Sequence, residues 1–272
     1  MSTIQTRRLQ APSLTREAII LAAEALIRQY VDIVGRERIH AIGLSFDDVF
    51  GQVIYPNYEI ELIEDFDLEC NSSGLKPLGR FDVLNNRALI GIKAGDPRRA
   101  FTCWHEVGGH GILQGAWLRQ QLSQGQFESI VTTNVSISAR TEDILERQAN
   151  LFAANASAPR WFVREVIART YKLNLPHIFR YIGPSHYDFD VRGAIKKRRI
   201  NTLDEFCLSI AHDIKHLFWG LSAQALSYRV KESGLILNLA APKILLNRIP
   251  SQIPRSSYSG AQRVDRVLAM SP

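Results

Sequence analysis

Two adjacent glycines, Gly108 and Gly109, interrupt a run otherwise suited to a helix: Phe101 to Leu113, FTCWHEVGGHGIL. Asp96 and Pro97 offer that helix a start, since Asp caps a first turn and Pro suits the first helical position. The run is expected to reach about Arg119. Each mid-helix glycine costs roughly 1 kcal/mol relative to alanine. A chain that keeps two of them either breaks its helix or needs unusual backbone angles or close approach there. The same run carries His105 and Glu106, and a second histidine, His110, five residues after the first. In a regular helix five residues place two side chains roughly 140° apart. A π-bulge absorbs one extra residue and returns positions i and i+5 to nearly one face. The glycines therefore bear on whether the two imidazoles meet.

Meeting imidazoles matter because a catalytic zinc takes three protein ligands and leaves a fourth position for water. It also works with a base beside that water. The three cysteines, Cys70, Cys103 and Cys207, are widely spaced and odd in number. That suits neither a thiolate site nor a disulfide scaffold, so a metal site here has to use histidine and carboxylate. A second segment, ILERQANLFAA, supplies the carboxylate. Glu146 and Asn150 stand four apart, on one helical face. Glu146 offers a third ligand through oxygen. Asn150 lies one turn further and can orient a ligating histidine through its other ring nitrogen. Ala149, Ala153 and Ala154 keep this helix slim enough to approach the first closely. The set His105, His110 and Glu146 has the chemistry for zinc. The competing reading makes both histidines hydrogen-bonded core residues near Phe101 and Trp104.

Other signals are weaker. His212 and His216 have the regular four-residue spacing, with Asp213 beside the first, but no clear third ligand. Glu205, about two turns upstream of His212, reaches it only with strain. His40, His177 and His186 are isolated, and Cys103 reads as a small buried hydrophobe. Gly-rich phosphate loops and a serine nucleophile elbow are absent. The net charge is +6, and its densest run, Lys196 to Arg199, has no interleaved aromatic residue. That run reads as a solvated turn, and direct nucleic-acid binding is not expected. At 46% hydrophobic and 22% charged residues the composition is that of a soluble globular protein. No apolar run is long enough to span a bilayer. The opening MSTIQTRRLQAPS has no apolar signal-peptide core. A cytoplasmic location without membrane association is the expectation.

Periodicity and punctuation give an α+β chain. A helix capped by Ser13 or Thr15 runs to about Val34, with Ala22, Ala23, Leu26, Ile27 and Tyr30 on its apolar face. YEIELIEDFDL, RFDVL and RALIGIK read as strands of a small, mostly antiparallel sheet. FESIVTTNVSIS reads as a further extended stretch. TEDILERQANLFAANAS is helical, and Pro159 opens another helix. From about Lys172 the chain loses clear period, then two helices are expected over roughly Thr202–Trp219 and Ser222–Glu232. A Pro-, Ser- and Gly-rich tail follows and reads as flexible. The expected division is 1–170 and a mainly helical 171–272.

At the two key segments the chain resembles the ImmA/IrrE family of zinc metallopeptidases. RRAFTCWHEVGGHGIL, from Arg98 onward, follows that family's F-T-x-x-H-E-x-G-H pattern with one residue inserted before His110. ERQANLFAANASAP follows its E-x-x-A-N-x-F-A-A signature through to Pro159, with Ser157 and Ala158 replacing the usual apolar pair. LSAQALSYRVKESGLI is similar to a helix that often follows the peptidase core. The resemblance covers about residues 75–165. It implies a zincin-like metallopeptidase core with an active-site helix pair. It further implies zinc bound by His105, His110 and Glu146, Glu106 as general base, and Asn150 in support. The implied substrate is a regulatory, repressor-like protein, itself DNA-binding. The inserted residue keeps a rival open: a catalytically inactive module of the same fold that regulates a partner such as a repressor or antitoxin. Oligomeric state is not legible.

Overall fold

Thr15 starts the first helix: its Oγ1 accepts a hydrogen bond from the Ala18 amide at 3.1 Å. Helix α1 (Arg16–Val34) buries Ile19, Ala23, Leu26, Ile27 and Tyr30 and stops at Gly35, whose φ of 88° suits glycine. The computed structural model describes residues 11–70, 74, 76–93, 95–123, 139–172, 179–183, 186–188 and 202–238. Short elements follow α1: α2 (Arg36–Ile42), α3 (Phe46–Val49), a π-helical turn (Phe50–Ile54) and α4 (Tyr55–Tyr58). The strand expected from Tyr58 shrinks to β1 (Glu61–Ile63). Tyr58 closes α4, and Glu59 adopts a left-handed φ of 52° before the chain extends.

β2 (Gly79–Asp82) and β3 (Arg87–Ile90) form the expected hairpin. Its turn is held by Asp82 Oδ1, which accepts from the amides of Leu84 and Asn85, both at 3.1 Å. The sheet order is β1-β3-β2, with β1 parallel to β3 and β2 antiparallel to it. The sheet is therefore mixed, where a mostly antiparallel one was expected. β1 is not joined to β3 by a tight turn but lies on its far side after the β2 excursion.

The single helix expected between Asp96 and about Arg119 is three elements. These are α5 (Arg99–Cys103), a π-helix (Trp104–Leu113) and α6 (Gly115–Ser123). Asp96 does not cap α5; its Oδ1 accepts from the Arg98 amide at 2.8 Å and closes the turn before it. α7 (Ala139–Ser157) and α8 (Arg160–Thr170), which Pro159 precedes, lie where periodicity places them. Beyond them come β4 (Phe179–Gly183) and β5 (His186–Asp188), then α9 (Leu203–Ile214) and a 3-10 turn (Lys215–Leu217). α10 (Ala223–Glu232) and β6 (Ile236–Asn238) complete the described chain. β4 pairs antiparallel with β5 and parallel with β6, so the stretch read as irregular contributes to a second small sheet. The basic run at 196–199, the extended stretch expected at 127–138 and the tail lie outside the described residues.

One buried apolar cluster runs through these elements, from Ile19 in α1 through Phe81, Trp104, Phe152 and Phe162 to Phe206 and Leu226. Trp104 meets Phe46 edge-on, ring centroids 5.0 Å apart. Buried Arg229 ties α10 to the end of α7: its guanidinium donates to Asn155 Oδ1 at 2.6 Å and to the Ala158 carbonyl at 3.0 Å. Among the described residues no helix is long and apolar enough to cross a membrane.

Candidate metal centre

The extra residue between the two histidines is absorbed by a full π-helix. The Gln114 amide donates to the Gly109 carbonyl, five residues back, at 3.2 Å. This pattern places i and i+5 one turn apart. His105 and His110 consequently face the same way, with Nε2 atoms 3.1 Å apart. The local cause is the packing of α7 against the π-helix. A Cβ on Gly109 would lie inside van der Waals contact of the Ala149 Cβ, and one on Gly108 would strike the Phe152 ring. Both glycines have ordinary negative φ, so they are required for close approach and not for backbone freedom. The slim alanine face of α7 meets them, with Ala149 and Ala153 fully buried.

That approach brings Glu146 to the histidines. His105 Nε2 lies 3.2 Å from Glu146 Oε2, and His110 Nε2 lies 3.3 Å from Glu146 Oε1. Zinc bonds of about 2.0–2.2 Å in a tetrahedron separate neighbouring donor atoms by roughly 3.3–3.6 Å. The two imidazole nitrogens, 3.1 Å apart, and the Glu146 oxygen nearest each of them, at 3.2 and 3.3 Å, lie close to that spacing. Two imidazole nitrogens and one carboxylate are also the donor set of catalytic zinc sites. His105, His110 and Glu146 are the one such cluster among the described residues, so they can hold a divalent metal. The His side chains are 14% and 7% exposed but that of Glu146 is 48% exposed, so the cluster opens to solvent on the α7 side.

The charges of the cluster act on one another. Burial works against the charged form of His110, but the carboxylates of Glu146 and Glu106 outweigh it and raise its pKa to about 9. Burial also opposes ionisation of Glu146, yet the two histidines hold its carboxyl well below the usual range. Glu106 is buried, and desolvation pushes its pKa up against the pull of His110 and His105. Its side chain lies under β2. A Cβ on Gly79 would stand 2.7 Å from Glu106 Cγ and 2.9 Å from Oε1. Gly79 thus makes room for the carboxyl.

The supporting contact is not the one expected. Asn150 is exposed on α7, and the second nitrogen of His110 is held instead by Gln114, with Nδ1 2.8 Å from Oε1. Gln114 is fully buried and donates through Nε2 to the Leu145 carbonyl at 2.8 Å. A carbonyl only accepts, so this bond fixes which end of the amide faces His110. In the neutral ring Nδ1 then carries the proton, which leaves Nε2 as the nitrogen free to ligate. Gln114 stands four residues after His110, the offset at which helical side chains meet; that spacing was the available signal.

The remaining histidines do not add to the site. His212 and His216 are both exposed, and α9 ends at Ile214, so His216 falls in the 3-10 turn. Asp213 accepts from the Tyr171 hydroxyl at 2.7 Å. His40 Nε2 lies 3.1 Å from Glu165 Oε2, away from the cluster. His186 lies in β5, and His177 is outside the described residues. Cys103 is buried as expected, which raises its thiol pKa to about 12. Compared with known proteins, the chain matches no protein-family profile, and no curated protein or solved structure is significantly similar to it.

Proposed function

We propose that this chain is a zinc-dependent endopeptidase of the ImmA/IrrE type, acting on a regulatory, repressor-like protein. The observation that carries the metal half of this reading is the cluster of His105, His110 and Glu146, whose donor atoms all lie within 4.8 Å of one another. A zinc held there would acidify a water at its fourth position and act as a Lewis acid toward a carbonyl. Glu106 is the base. Its burial and raised pKa suit a carboxyl that takes a proton from the attacking water and gives it to the leaving amine. Gln114 holds His110 in the tautomer that ligation needs.

The sheet supports a peptide substrate. The Gly91 amide donates to the Leu78 carbonyl at 2.9 Å, which marks residues 78, 80 and 82 as those bonded to β3. By antiparallel alternation, Gly79 and Phe81 turn their amides and carbonyls outward. Among the described residues that edge of β2 pairs with no other strand, and it runs beside Glu106. An extended peptide adding to it would bring its backbone past the carboxyl. The repressor-like nature of the substrate rests on the family resemblance alone.

The test uses purified protein, elemental analysis and a fluorogenic library of extended peptides. Wild type is expected to hold zinc and cleave. Glu106→Gln is expected to keep its zinc and lose about 10²–10⁴-fold in kcat. A wild-type protein that holds zinc, cleaves nothing and behaves as Glu106→Gln does would turn the reading toward the partner-binding module.

A further inference from the structure

The hydrogen bonds that hold His110 do not stop at Gln114. The Gln114 Nε2 group donates to the Leu145 carbonyl and, over a longer 3.4 Å, to Gln148 Oε1. Gln148 Nε2 then donates to the Pro12 carbonyl at 2.8 Å. All the donors run in one direction, from the His110 ring outward, and end on backbone oxygens. Gln114 and Gln148 are both buried, at 0% and 6% exposure. The end of the chain of bonds is the segment before α1. There Leu14 donates its amide to Pro12, and Ala11 and Leu14 pack against the apolar core.

We infer that residues 11–14 are a strap whose docking on α7 helps fix the orientation of His110, with Gln114 and Gln148 as positioning residues between them. The inference rests on the metal-site reading above and adds a way to regulate it. Polarity is what the chain of bonds transmits. The Pro12 carbonyl keeps the amide nitrogen of Gln148 turned toward the strap, so its oxygen is left for Gln114. With the strap lifted, Gln148 is free to turn over and set its donors against those of Gln114. Gln114 then loses its second acceptor and grips His110 less firmly. Coupling of this kind is reciprocal: what docking adds to metal affinity, metal adds to docking. A partner or substrate that draws off residues 11–14 thereby loosens the metal.

The test measures zinc affinity by competition with a chromogenic chelator, and amide hydrogen exchange of residues 11–15 with and without zinc. In wild type, zinc is expected to slow exchange in the strap by the same factor as the coupling, about tenfold. Gln148→Met, similar in length but without donor or acceptor, is expected to bind zinc about tenfold more weakly. Zinc should then no longer protect its strap, an effect that a merely structural Gln148 would not produce. Tight zinc binding by wild type with identical strap exchange in both states overturns the inference and leaves the metal site standing. So does unchanged affinity in Gln148→Met. A wild-type chain that binds no zinc removes the metal site and this inference together. The wild-type exchange comparison needs no variant to fold.

Discussion

His212 and His216 stand four apart, the spacing at which two imidazoles on a regular helix share a face. His105 and His110 stand five apart, where a regular helix would turn them away from each other. The structure reverses what spacing suggests. The regular pair is exposed, and its helix ends between the two residues, at Ile214. The irregular pair has its Nε2 atoms 3.1 Å apart, with a carboxylate against both. The difference lies in what packs on each helix. The π-helix meets α7 at Gly108 and Gly109, where no Cβ fits, and α7 carries Glu146. Ligand spacing along one helix therefore counts for less than the partner helix that sets its winding.

Two tests sharpen this contrast, taken from the larger effect to the smaller. The first concerns protons. In the metal-free protein His110 is protonated up to about pH 9, because the nearby carboxylates outweigh its burial. Zinc has to displace that proton, so affinity rises with pH, by up to about tenfold per unit below pH 9, and levels off above it. Competition titrations between pH 6.5 and 9.5 read this slope; a flat profile would mean that His110 is not a ligand. The second concerns the glycines. Gly109→Ala improves helix propensity by about 1 kcal/mol, yet its Cβ would overlap Ala149. Overpacking of this kind costs roughly 1–3 kcal/mol. Thermal unfolding is expected to show net destabilisation with weakened zinc binding. A stabilised variant would mean that α7 does not need the close approach.

Much of the helical framework was legible because its signals are local. Thr15, Thr202 and Ser222 each cap the helix that follows, accepting from the amide three residues on. The β2–β3 hairpin and the start of α8 after Pro159 follow from turn chemistry of the same short range. The donor set His105, His110 and Glu146 was legible as chemistry, and the possibility of π winding as geometry. The parallel pairing of β1 with β3, and of β4 with β6, was not, since it joins segments with no local signal linking them. Nor was the choice of Gln114 over Asn150. Both stand four residues after a member of the cluster, and only the rotation of the two helices decides which is buried against an imidazole and which faces solvent. That rotation is set by Ala149 and Phe152 against the glycines, a tertiary contact.

The most direct test is zinc content by elemental analysis after purification without chelator. It compares wild type, His110→Ala and the double variant His212→Ala/His216→Ala. The account predicts about one zinc per chain in wild type and in the double variant, and close to none in His110→Ala. A wild type free of zinc, or zinc kept by His110→Ala and lost from the double variant, would contradict it.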